Sequence, residues 1–306
     1  MRGDQPIAEP VSAPEKMNSR ELGLVLAQQL LGVEDLHYGL WDADLPVLLA
    51  NLGVAQQRYS DMLLDLIGRQ TAGIRAARLL DVGCGTGHLL QQLRERGFRV
   101  DAVNPSATLN RLVRERLGAP GAADTVLLET GFESIPAEHL RNQYDLVLFS
   151  ESFQYIPLPA VFEHLPGLLA PAGQVVICDF FKTAAHSQGG AGDRSFGGGH
   201  ALADFYRRVG ESGFAIELDE DLTRRVSPSI ALLDEWLGQR LVPATTTLNT
   251  WLLDRHPFKT RVLKWLLRKQ LARFHYKYLS GNRSQAVFEH YKSYRLLVLR
   301  ASGTER

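Results

Sequence analysis

The residues with the clearest chemical potential lie in Arg78-Leu79-Leu80-Asp81-Val82-Gly83-Cys84-Gly85-Thr86-Gly87-His88. An apolar run ends in a turn with glycine at every second position, and a helix-like segment follows. Glycine lets such a turn take positive φ and lets a ligand approach the backbone closely. The spacing is GxGxG, unlike the GxGxxG of a dinucleotide site. Asp81 places an acid two residues before the first glycine, where a ligand's ammonium group can meet it. A second set of residues offers proton transfer: Glu151 and Tyr155 near one strand end, and His37, His186 and His200 elsewhere. His200 follows Gly197-Gly198-Gly199, and His186 lies in a neighbouring Gly-rich loop. For each histidine the plainer alternative is an exposed or capping residue. The sequence has no His/Cys/acid cluster at metal-ligand spacing and no Ser/His/Asp elbow, so no metal is expected.

Positioning these residues takes an alternating framework. From residue 77 the runs ARLLDV, FRVDAV, TVLLE, DLVLFS and QVVICDFF read as strands. HLLQQLRERGF, TLNRLVRERLG and VFEHLPGLL read as helices between them. FAIELDEDL and YRLLVLR supply a sixth and a seventh strand. The pattern predicts an α/β fold with a doubly wound, seven-stranded sheet. Ligands of such sheets bind at the carboxyl ends of the strands, where the glycine turn falls. The expected organisation is a disordered tail over 1–16, an N-terminal helical cap over 17–76, a ligand-binding domain over 77–226 and 294–306, and a helical insertion over 227–293. Within the cap, two apolar-periodic runs flank the aromatic segment Leu36–Trp41.

The stretch Leu79–Gly87 resembles motif I of class I S-adenosylmethionine-dependent methyltransferases. The resemblance implies a Rossmann-like fold whose seventh strand runs antiparallel, with S-adenosylmethionine as cofactor, held by Asp81, Gly83, Cys84, Gly85 and Gly87. In that family the second strand usually ends in an acid that binds the ribose hydroxyls. Asn104 stands there, followed by Pro105, while alternation turns Asp101 to the other face. In the next loop Gly131 replaces an Asp that often meets the adenine, and Phe132 remains for ring contact. Ser150 completes the implied cofactor set. Glu151-Ser152 resembles a segment of the tocopherol methyltransferase group, whose relatives include sterol and cyclopropane fatty acid enzymes. That group carries a Glu-His pair where Gln154-Tyr155 stand here. His37-Tyr38-Gly39-Leu40-Trp41 and Asp221-Leu222-Thr223 are similar to two further segments of the group. The implied reaction moves a methyl group to a small lipophilic or aromatic acceptor, with His37, Tyr38, Glu151 and His200 as candidate catalytic groups. Two alternatives stay open: an N-methyltransferase of a polar amine, and a non-catalytic S-adenosylmethionine-binding subunit, which Asn104 and Gly131 keep in view.

Bulk properties narrow the partners. Of 306 residues, 45% are hydrophobic and 22% charged, enough to build a core without staples. The two cysteines, Cys84 and Cys178, form no disulfide framework, which fits a reducing compartment. The start lacks the apolar core of a signal peptide, and no run reaches membrane-span length, so a cytoplasmic location is expected. A formal net charge of zero argues against a nucleic-acid partner. That zero conceals eleven Lys/Arg against one acid, Glu289, between Arg255 and Arg295. Within this tract the spacing predicts one amphipathic helix from Pro257 to Phe274. Phe258, Val262, Trp265, Leu266 and Leu271 share a face, and Lys259, Arg261, Lys264, Arg268 and Arg273 spread over the remainder. One use is a soluble lid packed on the core, with Trp251, Phe258, Trp265, Phe274, Tyr276 and Tyr278 lining an acceptor pocket. Another is peripheral contact of 255–295 with the anionic inner membrane surface. A basic lid also suits an acidic carrier or a phosphate-bearing acceptor.

Overall fold

The computed structural model describes residues 37–118, 125–278 and 280–302. The expected tail over 1–16 and the first helical run of the cap lie outside these residues. The second run forms α1 (Leu52–Gln70). Seven strands follow: β1 (Arg78–Val82), β2 (Arg99–Val103), β3 (Leu127–Leu128), β4 (Tyr144–Ser150), β5 (Leu169–Lys182), β6 (Phe214–Asp221) and β7 (Lys292–Ala301). They make one sheet in the order β3-β2-β1-β4-β5-β7-β6. The pairs β1–β2, β1–β4, β2–β3 and β4–β5 are parallel, and β7 runs antiparallel to β5 and β6. The doubly wound α/β sheet read from the sequence is therefore the fold observed.

Alternation along the strands divides the core into two faces. Leu79, Leu146, Leu148, Val176 and Leu296 pack on one side with Tyr59, Leu63 and Ile67 of α1. Leu80, Val82, Val147, Phe149 and Ile177 pack on the other with α4 (Leu158–Leu168) and α5 (Leu202–Glu211). With both faces covered, nearly continuous apolar strands are what burial requires. Helices α2 (His88–Glu95) and α3 (Ala107–Leu117) complete the crossovers β1–β2 and β2–β3. Asp101 is buried facing away from the glycine turn, where it accepts from the Arg78 guanidinium at 2.8 Å and the Tyr144 hydroxyl at 2.9 Å. Its acid ties β2 to the first residues of β1 and β4, on the face that alternation predicts.

The insertion departs from expectation. Just before it α6 (Thr223–Val226) buries Val226, and the insertion's own two ends belong to the core: α7 (Pro228–Trp236) buries Ile230 and Leu232, and α11 (Gln285–Tyr291) buries Phe288. Between them a π-turn (Leu237–Leu241) leads into α8 (Val242–Arg255), α9 (Pro257–Leu266) and α10 (Arg268–Tyr278). The single helix predicted from Pro257 to Phe274 is broken at Leu267, which leaves helical geometry with φ −91° and ψ 4°. Thr260 is the only buried residue along α8 and α9. The apolar face does not pack on the core: Phe258 is 77% exposed and Trp265 62%.

Candidate active site

The carboxyl ends of β1, β2 and β4 open into a cavity of about 540 Å³. The backbone builds its floor. Gly83, Gly85 and Gly87 all take left-handed φ, at 76°, 57° and 82°. Gly83 donates from its N–H to Val103 O at 2.7 Å, tying the turn to β2. A Cβ at Gly83 would overlap Ser152, whose hydroxyl bonds Val82 O. A Cβ at Gly85 would meet nothing within 4 Å, so that position faces open space in the cavity. Gly87 does not line the cavity. A Cβ there would press on Val113 at 3.2 Å, so this glycine serves the packing of α2 on α3 rather than ligand contact.

Asp81, Cys84, Asn104, Pro105, Phe132 and Ser150 all line the cavity, as does Gly131. The Asp81 carboxyl is 2% exposed, and its Oδ2 has no hydrogen-bond partner. Burial pushes its pKa up to about 7. A buried acid without a partner is costly and calls for a cation or donor from a ligand. Burial likewise raises the Cys84 thiol far above its ordinary value, which keeps it neutral. Asn104 is a donor as well as an acceptor: its amide reaches Gly85 O at 3.3 Å and pins the glycine turn. Phe132 is buried edge-on to Phe149 at 5.4 Å, so its ring is fixed before any ligand arrives.

A polar network occupies another wall. Glu151 sits just past β4 with φ 54°, a left-handed value that costs a non-glycine residue about 1–2 kcal/mol. Its Oε1 accepts from Tyr38 N–H at 2.9 Å and from the Tyr294 hydroxyl at 2.7 Å. Burial raises the Glu151 pKa, while His37 and these two donors pull it back. His37 lines the cavity, stacks on Tyr59 at 4.3 Å and approaches Ser60 Oγ at 3.3 Å. Tyr155 lines the cavity and is 52% exposed.

The predicted trio of His37, Tyr38 and Glu151 therefore does come together, though Tyr38 contributes a backbone N–H while its ring packs against Phe288 and Tyr294. His200 does not reach the cavity. Its Nε2 lies 3.1 Å from Phe153 O, and burial lowers its pKa, so it braces the chain beside Phe153. His186 is bound to Asp193 at 2.8 Å within its own loop. Among the described residues, none of Trp251, Phe258, Trp265, Phe274 and Tyr276 lines the cavity, and no acid/His/Cys group fit to hold a metal occurs.

Sequence reasoning missed Tyr59 and Tyr294. The first lies on the buried face of α1 beside Gln56 and Ser60, where polar residues among core positions were a readable signal. The second is a tyrosine on an inward position of β7. The three segments that resembled one enzyme group also converge. Gly39 N–H and the Trp41 indole both donate to Ser229 Oγ, at 3.0 and 2.9 Å. Thr223 Oγ1 accepts from Tyr294 N–H at 2.8 Å, and Tyr294 meets Glu151.

A glycine-turn cavity at the strand ends of a seven-stranded sheet with an antiparallel last strand defines the class I methyltransferase architecture, whose enzymes draw their methyl group from S-adenosylmethionine. The methyltransferase domain family matches residues 54–209, and the chain belongs to it. It is 31% identical to the tuberculostearic acid methyltransferase of Mycobacterium tuberculosis over 129 residues, 41% of this chain and 28% of that protein. It is 29% identical to the ubiquinone biosynthesis O-methyltransferase of Xanthomonas oryzae over 147 residues, 47% of this chain and 57% of that protein. The chain thus spans little more than half the length of these relatives at most. The geranyl diphosphate C-methyltransferase of Streptomyces coelicolor, solved with Mg2+, geranyl diphosphate and S-adenosyl-L-homocysteine, shares the fold. Its TM-score is 0.61 at 18% identity, covering 90% of this chain and 92% of that one.

Proposed function

We propose that this protein transfers a methyl group from S-adenosylmethionine to a small lipophilic acceptor, with Glu151 receiving the acceptor's proton or facing its developing positive charge. The carrying observation is one cavity with two chemically distinct sets of groups. One is an orphaned buried carboxylate oxygen on Asp81 beside the open glycine Gly85, and the other is Glu151 with His37. Asp81 with Gly83, Cys84 and Gly85 would hold the amino-acid end of the cofactor. Asn104, Pro105 and Phe132 would hold the nucleoside, and Ser150 the join between them. The cofactor supplies a methyl group on a sulfonium that is already a leaving group, so the protein chiefly positions the reactants and excludes water. Apolar lining from Leu89, Leu109 and Ile156 supports a lipophilic acceptor. The names of the relatives point the same way: tuberculostearic acid, ubiquinone biosynthesis and geranyl diphosphate. Glu151 and the half-exposed Tyr155 lining the same cavity also favour a second reading, a cationic amine acceptor.

Calorimetry with S-adenosylmethionine, followed by transfer of labelled methyl into a lipid extract, tests the proposal. Label in the organic phase, absent with Gly85→Val, is the expected result. Label confined to water-soluble amines moves the proposal to the second reading. Tight binding with no transfer to either fraction returns the chain to a non-catalytic role.

We further propose that α8–α10 rest on an anionic membrane surface at the cytoplasmic side. No acid occurs from Arg255 to Phe288, and Trp251, Phe258, Leu263, Trp265 and Leu266 are each at least half exposed beside Arg255, Lys259, Lys264 and Arg268. Each basic residue near such a surface contributes roughly 1 kcal/mol. No helix among the described residues is long and apolar enough to cross a membrane, so the contact is peripheral. Sedimentation with anionic vesicles, weakening with salt and absent with neutral vesicles, is expected. Protein left in the supernatant at low salt overturns the membrane contact.

A further inference from the structure

Tyr294 lines no part of the cavity, yet it makes the shortest side-chain contact to Glu151. Its hydroxyl lies 2.7 Å from Glu151 Oε1 and 3.1 Å from the Tyr59 hydroxyl, which in turn lies 3.0 Å from Ser150 Oγ. A tyrosine has one hydroxyl proton. With Glu151 ionised, that proton goes to the carboxylate, so the 3.1 Å contact must carry the proton of Tyr59. Ser150 then donates to Tyr59. The four groups form a directed chain ending on the carboxylate. With Glu151 protonated on its other oxygen, Oε1 still accepts from Tyr294 but as a neutral and weaker acceptor, and Tyr59 is then freer to turn its proton toward Ser150 or toward Cys178 O at 3.5 Å. The ionised arrangement ends in a charge-assisted bond, the stronger kind.

Both ends of this chain are anchored by backbone rather than by long flexible side chains. Tyr294 is held by Thr223 Oγ1 on its N–H and by Leu222 N–H on its carbonyl, both at 2.8 Å. Tyr59 is 0% exposed on α1, under the His37 ring. Glu151 keeps its left-handed φ because its N–H donates to Cys178 O at 2.9 Å while its carboxylate is claimed from the other side. We infer that Tyr294, backed by Tyr59, is a positioning residue that aims the Glu151 carboxylate into the cavity and readies it to take a proton. The inference rests on the proposed role of Glu151.

Titratable and polar groups face Glu151 from every element packed around it. His37 and the Tyr38 N–H come from the segment before α1, Tyr59 from α1, Cys178 and Asp179 from β5, and Tyr294 from β7. Burial raises the Glu151 pKa, His37 lowers it, and the Tyr38 and Tyr294 donors lower it further. Asp179, itself buried and pushed up to about 8, adds repulsion when both are ionised. Removing the Tyr294 hydroxyl withdraws one lowering contribution and leaves the others in place.

The test is a carboxyl titration of the full chain by carbon-labelled glutamate NMR, with Glu151→Gln identifying the Glu151 signal by its loss. Tyr294→Phe should move that signal's midpoint to higher pH by about one unit, the size expected for a charge-assisted bond. Tyr59→Phe should move it the same way by less. Label transfer from S-adenosylmethionine into the lipid extract should show its acid limb displaced in step with the NMR midpoint. Unchanged midpoints in both variants overturn the inference. If Tyr294→Phe fails to fold, Tyr59→Phe decides alone, and its unchanged midpoint is equally fatal. Transfer whose acid limb is untouched by Glu151→Gln removes Glu151 as the proton acceptor, while the NMR result still reports on Tyr294.

Discussion

The cavity wall around Glu151 and the helical arm α8–α10 are built from similar residue types to opposite ends. Both are rich in aromatics and charge. Around Glu151 the aromatics interlock: Tyr59, Tyr294 and Phe288 are buried, and each polar tip finds a partner. Along the arm Trp251, Phe258 and Trp265 are more than half exposed, and Arg255 and Arg268 lie over the Trp251 and Trp265 rings at 6.0 and 5.3 Å. An aromatic in the first setting fixes geometry to fractions of an ångström. In the second it offers surface to something else. The lesson is that aromatic content in an insertion says nothing about a pocket until burial is known.

The largest contrast should come from the glycine turn. Gly85→Val puts a branched side chain into the open space of the cavity and strains a left-handed φ. Affinity for S-adenosylmethionine should fall on the order of a hundredfold or more, about 3 kcal/mol, by calorimetry. An unchanged constant would place the ligand elsewhere.

Stability should separate the two regions next. Phe149→Ala removes a fully buried ring between Phe132 and Phe153 and should cost about 3–5 kcal/mol in denaturant unfolding. Trp265→Ala should change stability by no more than about 0.5 kcal/mol, because its ring is 62% exposed. A large loss from Trp265→Ala would mean that the arm is covered in the folded protein.

Asp81→Asn should split stability from binding. An acid whose pKa is raised in the fold contributes most below its unfolded pKa, near 3.8, and that contribution is lost as pH rises through about 7. The amide has no such dependence, so at pH 8 the unliganded variant should melt at or above the wild-type temperature. Its affinity for S-adenosylmethionine should drop by about 1.5–3 kcal/mol, the range for a charge-assisted bond. Wild-type affinity should weaken below pH 7 as Asp81 takes a proton. A flat affinity profile from pH 5 to 8 would exclude an ammonium partner for Asp81.

Asn104→Asp is the finest probe. Family pattern alone expects the acid to restore ribose binding. The structure has the Asn104 amide donating to Gly85 O, and a carboxylate would set oxygen against oxygen there. A loss of about 1 kcal/mol in affinity is expected, the size of one hydrogen bond. A gain would show that the ribose contact outweighs the brace on the turn.

Local chemistry made much of this protein legible from its residues. Strand–helix alternation predicted the seven strands, because apolar runs at period two and 3.6 have few ways to bury themselves, while the antiparallel last strand came with the resemblance of Leu79–Gly87 to motif I. The glycine turn with Asp81 announced the ligand end, since few other residues tolerate those φ values. His37, Tyr38 and Glu151 were also legible, though only through short resemblances in two distant segments. What tertiary structure alone decided is which groups meet across the chain. Tyr294 reaches Glu151 from 143 residues away, and Ser229 clasps the segment at Gly39 from 190 away. No periodicity reports such pairings, because they depend on where the sheet order places β7 beside β5 and how α1 crosses that face. Burial was equally out of reach: His200 and Gly87 looked like site residues by position and proved to be braces. The arm's apolar residues were read as one face of a single helix, but the break at Leu267 splits them between two helices and leaves them exposed, and that break is not written in the local periodicity.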